Sequence, residues 1–111
     1  MAYDEDVARR LRAALDSAAP PEVAERKMFG GLAMMVNGHM CVGVTGGELM
    51  VRVGKEAYAD ALALPHAREM DFTGKPLSGF VYVAPAGFAA DSDLEAWVDR
   101  GLAFVLSLPP K

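Results

Sequence analysis

One cysteine, one tryptophan and a shortage of positive charge narrow the options for this chain first. With only Cys41 present, an internal disulfide is excluded, so the fold must be held by its core. A bilayer-spanning helix needs about 20 mostly apolar residues, and no such run occurs. The N-terminus is acidic and then basic, without the apolar segment of a signal peptide. A cytoplasmic protein with no membrane association is the expectation. Lys and Arg number 11 against 15 Asp and Glu, a net charge of −4. Direct nucleic-acid binding, which depends on cations neutralising phosphates, is therefore not expected. Arg9, Arg10 and Arg12 in the first helix, with Arg26 and Lys27 at the start of the sheet, read as solvated charges.

What is present is a globular composition, 52% apolar over 111 residues, which fits a single domain spanning residues 1–111 with one core. Residues 4–18 have Val7, Leu11 and Leu15 at helical spacing, with Asp4, Glu5 and Asp6 crowding the first turn. Pro20-Pro21 stops that helix. Residues 91–108 have a second stripe of Leu94, Trp97, Val98, Gly101, Leu102, Val105 and Leu108. Ser92 and Glu95 fit a capping box at its start. Gly101 sits inside the stripe, where it costs about 1 kcal/mol relative to Ala, so a close approach of the helix to a neighbour is expected there. A short helix is predicted over 56–64, a strand over 80–83, and a further short strand near 69–72.

Between the helices, residues 27–53 predict an antiparallel meander. Asn37-Gly38 and Gly46-Gly47 each separate two apolar runs, the pattern of two-residue hairpin turns. A first strand over 22–29 leads in, and Gly30-Gly31 marks a bend or bulge. Simple alternation puts Ala33, Met35, Met40, Val42, Val44, Leu49, Val51 and Val53 on the core face. The opposite face then holds Leu32, Met34, Val36, Cys41 and Met50, with His39, Glu48 and Arg52. Those five apolar residues are too many for a solvated face. They form the candidate interface, covered by a segment of this chain or by a partner, with a homodimer as the simplest cover. The element order indicates an α+β two-layer domain with helices on one face of an antiparallel sheet.

Two neighbourhoods carry reactive side chains. His39 and Cys41 share a face, which offers soft ligands to Cu(I) or a thiolate–imidazole pair. Packing is the preferred reading, because Met and Cys fill apolar surfaces and His39 flanks a turn. His66, Asp71 and Lys75 lie in one connection, where acid–base work would require convergence in a pocket. Asp71-Phe72-Thr73-Gly74 reads more simply as a turn. Arg52 is expected at the rim, solvated or salt-bridged with Glu48 as the candidate partner, in preference to an anion-binding role, and Trp97 and Tyr82 are expected in the core. No catalytic residue, metal or cofactor is assigned. A small-ligand or enzymatic protein using the His39/Cys41 or His66–Lys75 neighbourhood is the alternative.

Several separated motifs agree in order with one family. Lys27-Met28-Phe29-Gly30-Gly31, Leu49-Met50-Val51-Arg52-Val53-Gly54 and Met70-Asp71-Phe72-Thr73-Gly74-Lys75-Pro76 resemble the N-terminal domain of the TfoX/Sxy family. So do Leu94-Glu95-Ala96-Trp97-Val98, Gly101-Leu102-Ala103 and Ser107-Leu108-Pro109, so the likeness runs from about Val7 to the end. It implies an α-β(3)-α-β(2)-α sandwich, with Met28, Phe29, Gly30, Gly31, Arg52, Gly54, Phe72 and Gly74 as structural motif residues. It also implies a regulator: the named members promote transcription in natural competence alongside a cyclic-AMP-responsive activator. Those proteins carry a C-terminal domain that this chain is expected to lack. A non-enzymatic module acting through contacts with a protein partner is the functional expectation.

Overall fold

Turn chemistry builds the sheet. Asn37 and Gly38 both take positive φ, 54° and 83°, as a type I′ hairpin requires. Gly46 alone is positive at the second turn, φ 53°, the requirement of type II′. A third hairpin, through Gly30 at φ 72°, joins the first strand to the second. The computed structural model describes residues 3–28, 30–71, 74 and 77–109. Phe29, Phe72 and Lys75 lie outside the described residues.

The order is α1 Glu5–Ala18, β1 Val23–Met28, β2 Gly31–Val36, β3 His39–Thr45, β4 Glu48–Arg52, α2 Tyr58–Leu62, β5 Ala67–Glu69, β6 Phe80–Val83, a 3₁₀ turn Pro85–Phe88, and α3 Asp91–Val105. The strands form one antiparallel sheet in the order β1-β2-β3-β4-β6-β5. The α+β class is as expected. The first run of strands has four members where the family likeness implied three, because β1 is a full strand paired to β2 from Val23↔Val36 to Met28↔Gly31. Among the described residues no helix is long and apolar enough to cross a membrane.

The helices begin differently from one another. Asp4 caps α1, its carboxylate accepting from the N–H of Asp6 at 2.8 Å and of Val7 at 3.3 Å, an arrangement that contributes about 1 kcal/mol. The capping box expected at Ser92 and Glu95 does not form. Ala90 holds the N-cap position and α3 starts at Asp91, so Ser92 already lies inside the first turn. Arg10 of α1 ties that start down, donating to the carbonyls of Phe88 at 2.8 Å and Ala89 at 3.2 Å and reaching Asp91 at 3.1 Å.

A one-residue irregularity decides what each sheet face carries. Val36 pairs with His39 and Met35 with Met40, as simple alternation requires, but Met34 pairs with Val42. Cys41 is thus an extra residue on β3, a β-bulge. Past the bulge, β2 is shifted by one against β3. Leu32, Met34 and Val36 therefore share a face with Cys41, Val42, Val44, Leu49 and Val51, beneath α1 and α3. Ala33, Met35, Met40 and Met50 occupy the other face with Tyr82. The expected division of faces is corrected accordingly.

Over β2, β3, β4 and β6 both faces are covered by the chain itself. On the helix side, Val7, Leu11 and Leu15 of α1 and Leu94, Trp97, Val98, Leu102 and Val105 of α3 complete the main core. On the other side, the β5–β6 connection supplies Met70 and Leu77, held together by Leu77 N–H donating to the Met70 carbonyl at 2.8 Å. Trp97 and Tyr82 are core residues, 4% and 7% exposed.

Gly101 is where α3 comes down on β3. A Cβ there would lie 3.0 Å from Cγ1 of Val42 and 3.1 Å from both the carbonyl oxygen and Sγ of Cys41. The helical cost of the glycine is offset by this contact. Gly101→Val is expected to destabilise the protein by about 3 kcal/mol, since a branched side chain overfills the site. Urea unfolding checks this; a loss under about 1 kcal/mol would show that the helix has room to lift.

Candidate functional site

A groove of about 870 Å³ opens where β4 ends, between α2, α3 and the approach to β6. Its walls follow from backbone bonding. Gly79 turns at φ 91° and its carbonyl accepts from the N–H of Val53 at 2.8 Å and of Gly54 at 3.1 Å, which pins the exit of β4 to the entry of β6. Gly54 has φ 83°, and a Cβ on it would stand 2.3 to 2.9 Å from ring atoms of Phe104. Only glycine permits both the backbone angle and the ring.

Arg52 stands at the mouth. It is the cross-strand neighbour of Phe80, and its guanidinium carbon lies 5.4 Å from the Phe80 ring centre and 5.3 Å from that of Phe104. Two aromatic rings hold a cation in this way through their quadrupoles. The expected partner, Glu48, instead pairs with Arg68, which also stacks over Tyr82 at 4.5 Å. Among the described residues no carboxylate forms an ion pair with Arg52. Its in-plane N–H donors are therefore unspent on acid. Lys55 and Arg100 line the same groove, with Glu56 and Asp60, while Val53, Ala61, Leu64 and Ala103 supply apolar surface. Arg100 stacks on Trp97 at 4.8 Å.

The candidate interface of the sequence reading does not survive as an exposed surface. Leu32 is 5%, Met34 1%, and Val36, Cys41 and Met50 0% exposed. The first four lie beneath the helices and Met50 lies on the opposite face. Of the two covers considered, a segment of this chain is the one found, and the bulge explains why Met50 parted from the rest.

The two reactive neighbourhoods are also dispersed. Nε2 of His39 is 2.7 Å from the Pro109 carbonyl, so the ring anchors the C-terminal segment rather than facing Cys41. Cys41 is packed under Gly101, and burial pushes its thiol from 9.0 up to about 12, against a smaller opposing pull from Arg52. His66 and Asp71 lie on either side of β5, and Asp71 is 3.9 Å from Arg68. Gly74, at φ 82°, donates its N–H to the Asp71 carbonyl at 2.9 Å, while Phe72 and Thr73, the middle of the expected turn, lie outside the described residues. Among the described residues no group of three His, Cys, Asp or Glu gathers to hold a metal. Of the family-motif residues, Met28, Gly30 and Gly31 shape the β1–β2 hairpin, while Arg52 and Gly54 belong to the groove.

Arg12 and Glu25 form a two-point ion pair, 2.7 and 2.9 Å, that ties α1 to β1; the shared hydrogen bonds raise the Arg12 pKa and lower that of Glu25. Both groups are substantially exposed, so the pair contributes under about 1 kcal/mol. Cys41 yields the sharper expectation. With its folded pKa raised, the neutral thiol persists, and the stability linked to it is complete below pH 9.0 and lost as pH rises toward about 12. Folded protein should resist iodoacetamide at neutral pH and react promptly once unfolded in guanidinium chloride. Mass spectrometry reads the outcome, and rapid alkylation of the folded chain would contradict the packing.

The comparisons with known proteins agree with this architecture. The TfoX N-terminal domain family matches residues 14–105, from the last third of α1 to the last residue of α3. No curated protein and no solved structure gives a match. With most of its length matched, the chain belongs to the TfoX N-terminal domain family.

Proposed function

We propose that this chain is a non-enzymatic regulatory module that works through protein contacts, with the free sheet edge at β1 as its contact element. The observation that carries this reading is the exposure of β1. Every residue from Val23 to Lys27 is exposed and Met28 is half-buried, while both faces are closed over the neighbouring strands β2, β3 and β4. β1 ends the strand order, so its outer backbone groups have no ladder partner in the sheet. Val23, 46% exposed, is one of two large hydrophobics standing in solvent among the described residues. A six-residue edge is a template for a further strand, whereas β5 at the opposite edge is only three residues long.

The occupant we assign to this edge is a second copy of the chain. Antiparallel pairing of two β1 strands around a two-fold axis beside Arg26 sets Glu25 of each copy against Lys27 of the other, and Ala24 against Met28. Such an isologous contact needs only one exposed strand per copy. The same axis sets Arg26 against itself, which weakens the pairing. No cofactor enters this reading. The regulatory part of the proposal rests on the family, whose competence members act on transcription.

Sedimentation equilibrium tests the contact. Wild-type protein is expected to dimerise reversibly. Lys27→Glu should weaken the dimer about tenfold by facing like charges, and Arg26→Thr should tighten it. Both positions are exposed, so neither change should move stability by more than about 0.5 kcal/mol. A monomer in all three proteins, or a dimer unmoved by either substitution, contradicts the proposal.

A further inference from the structure

We propose that the groove at Arg52 is a binding site for a small carboxylic acid with a flat apolar body, an activity independent of the β1 edge. Arginine usage points to it. Arg9, Arg10, Arg12 and Arg68 each pair with a carboxylate, whereas Arg26, exposed on β1, and Arg52 and Arg100, which line the groove, pair with none among the described residues, so the groove collects two of the three unpaired arginines. Arg52 is also the better prepared of the two, with its position set by rings on both Phe80 and Phe104. Aromatic rings attract the cation without accepting its N–H donors as a carboxylate would, so the guanidinium keeps its fork of donors, which matches the two oxygens of a carboxylate.

Charge and size agree with that ligand. The lining has three cations, Arg52, Lys55 and Arg100, against two carboxylates, Glu56 and Asp60, an excess of one positive charge in a chain whose net charge is −4. One excess charge suits a monoanion. The volume of about 870 Å³ falls within the range of roughly 300–1,000 Å³ typical of small-molecule sites. The remaining lining is mostly apolar, with Phe80 and Phe104 flanking the anion-binding end, so an aromatic body attached to the carboxylate meets matching surface.

Amide NMR titration of the whole chain with naphthoate, naphthamide and inorganic phosphate tests the assignment. Naphthoate should bind saturably, shifting the amides of Gly54, Lys55 and Gly79, and at least about tenfold more tightly than naphthamide, which lacks the charge. Phosphate should bind more weakly than naphthoate, because it brings no apolar body. Arg52→Gln should remove the preference for the acid over the amide, and Arg52→Lys, which keeps the charge but not the fork, should lose most of it. The wild-type comparison of acid with amide stands even if a variant fails to fold. Equal binding of acid and amide, phosphate matching naphthoate, shifts confined to another surface, or no saturation would each overturn the proposal.

Discussion

The structure depends on how closely α3 can lie against β3. Gly101 lets the helix backbone settle over Cys41 and Val42 so closely that even a methyl group there would press on them at 3.0 to 3.1 Å. With that contact made, Trp97, Val98, Leu102 and Val105 reach the sheet and complete the main core. The same contact fixes a site. Phe104 is one turn beyond Gly101, and its ring lies on Gly54, where only glycine leaves room, and beside Arg52. Packing density in the core and the geometry of the groove are thus two results of one helix position. Close-packed interiors behave in this way, because a shift at one contact is transmitted to its neighbours.

The sheet is unusual for a small α+β domain in needing cover on both sides. Antiparallel sheets commonly leave one face wet. Here the methionine-rich face of Ala33, Met35, Met40 and Met50 is covered by Met70 and Leu77, which both lie between β5 and β6. Methionine suits such a cover, since its unbranched side chain fills gaps that a loop leaves. With both faces closed over β2 to β4, the proposed contacts fall on the β1 edge and on the groove at Arg52.

Much of this was legible in the residues. Asn37-Gly38 and Gly46-Gly47 declared their hairpins because positive φ restricts the residues that can stand there, and the stripe from Leu94 to Val105 marked the buried side of α3. The bulge at Cys41 was not legible. Both faces of β3 are apolar, so inserting one residue leaves no polar side chain in the wrong place to reveal the slip. The candidate interface was drawn from uninterrupted alternation and dissolved with it. Ser92 and Glu95 had the right spacing for a capping box, yet the helix began two residues earlier, with Ala90 as its N-cap. The groove could not be assembled from sequence, because Arg52, Phe80 and Phe104 come from three separate elements and meet only in the fold. The one hint was Arg52 itself, a lone cation at the end of an apolar strand.

The close seating of α3 is tested most directly by proton NMR contacts at its two glycine sites. The account predicts nuclear Overhauser effects from the Gly101 α-protons to the Val42 γ-methyl and from the Gly54 α-protons to the Phe104 ring, with the Gly54 signals displaced by the ring current. Absence of both effects, with Gly54 at ordinary shifts, would mean that the helix rides higher on the sheet and that neither the core nor the groove is built as described.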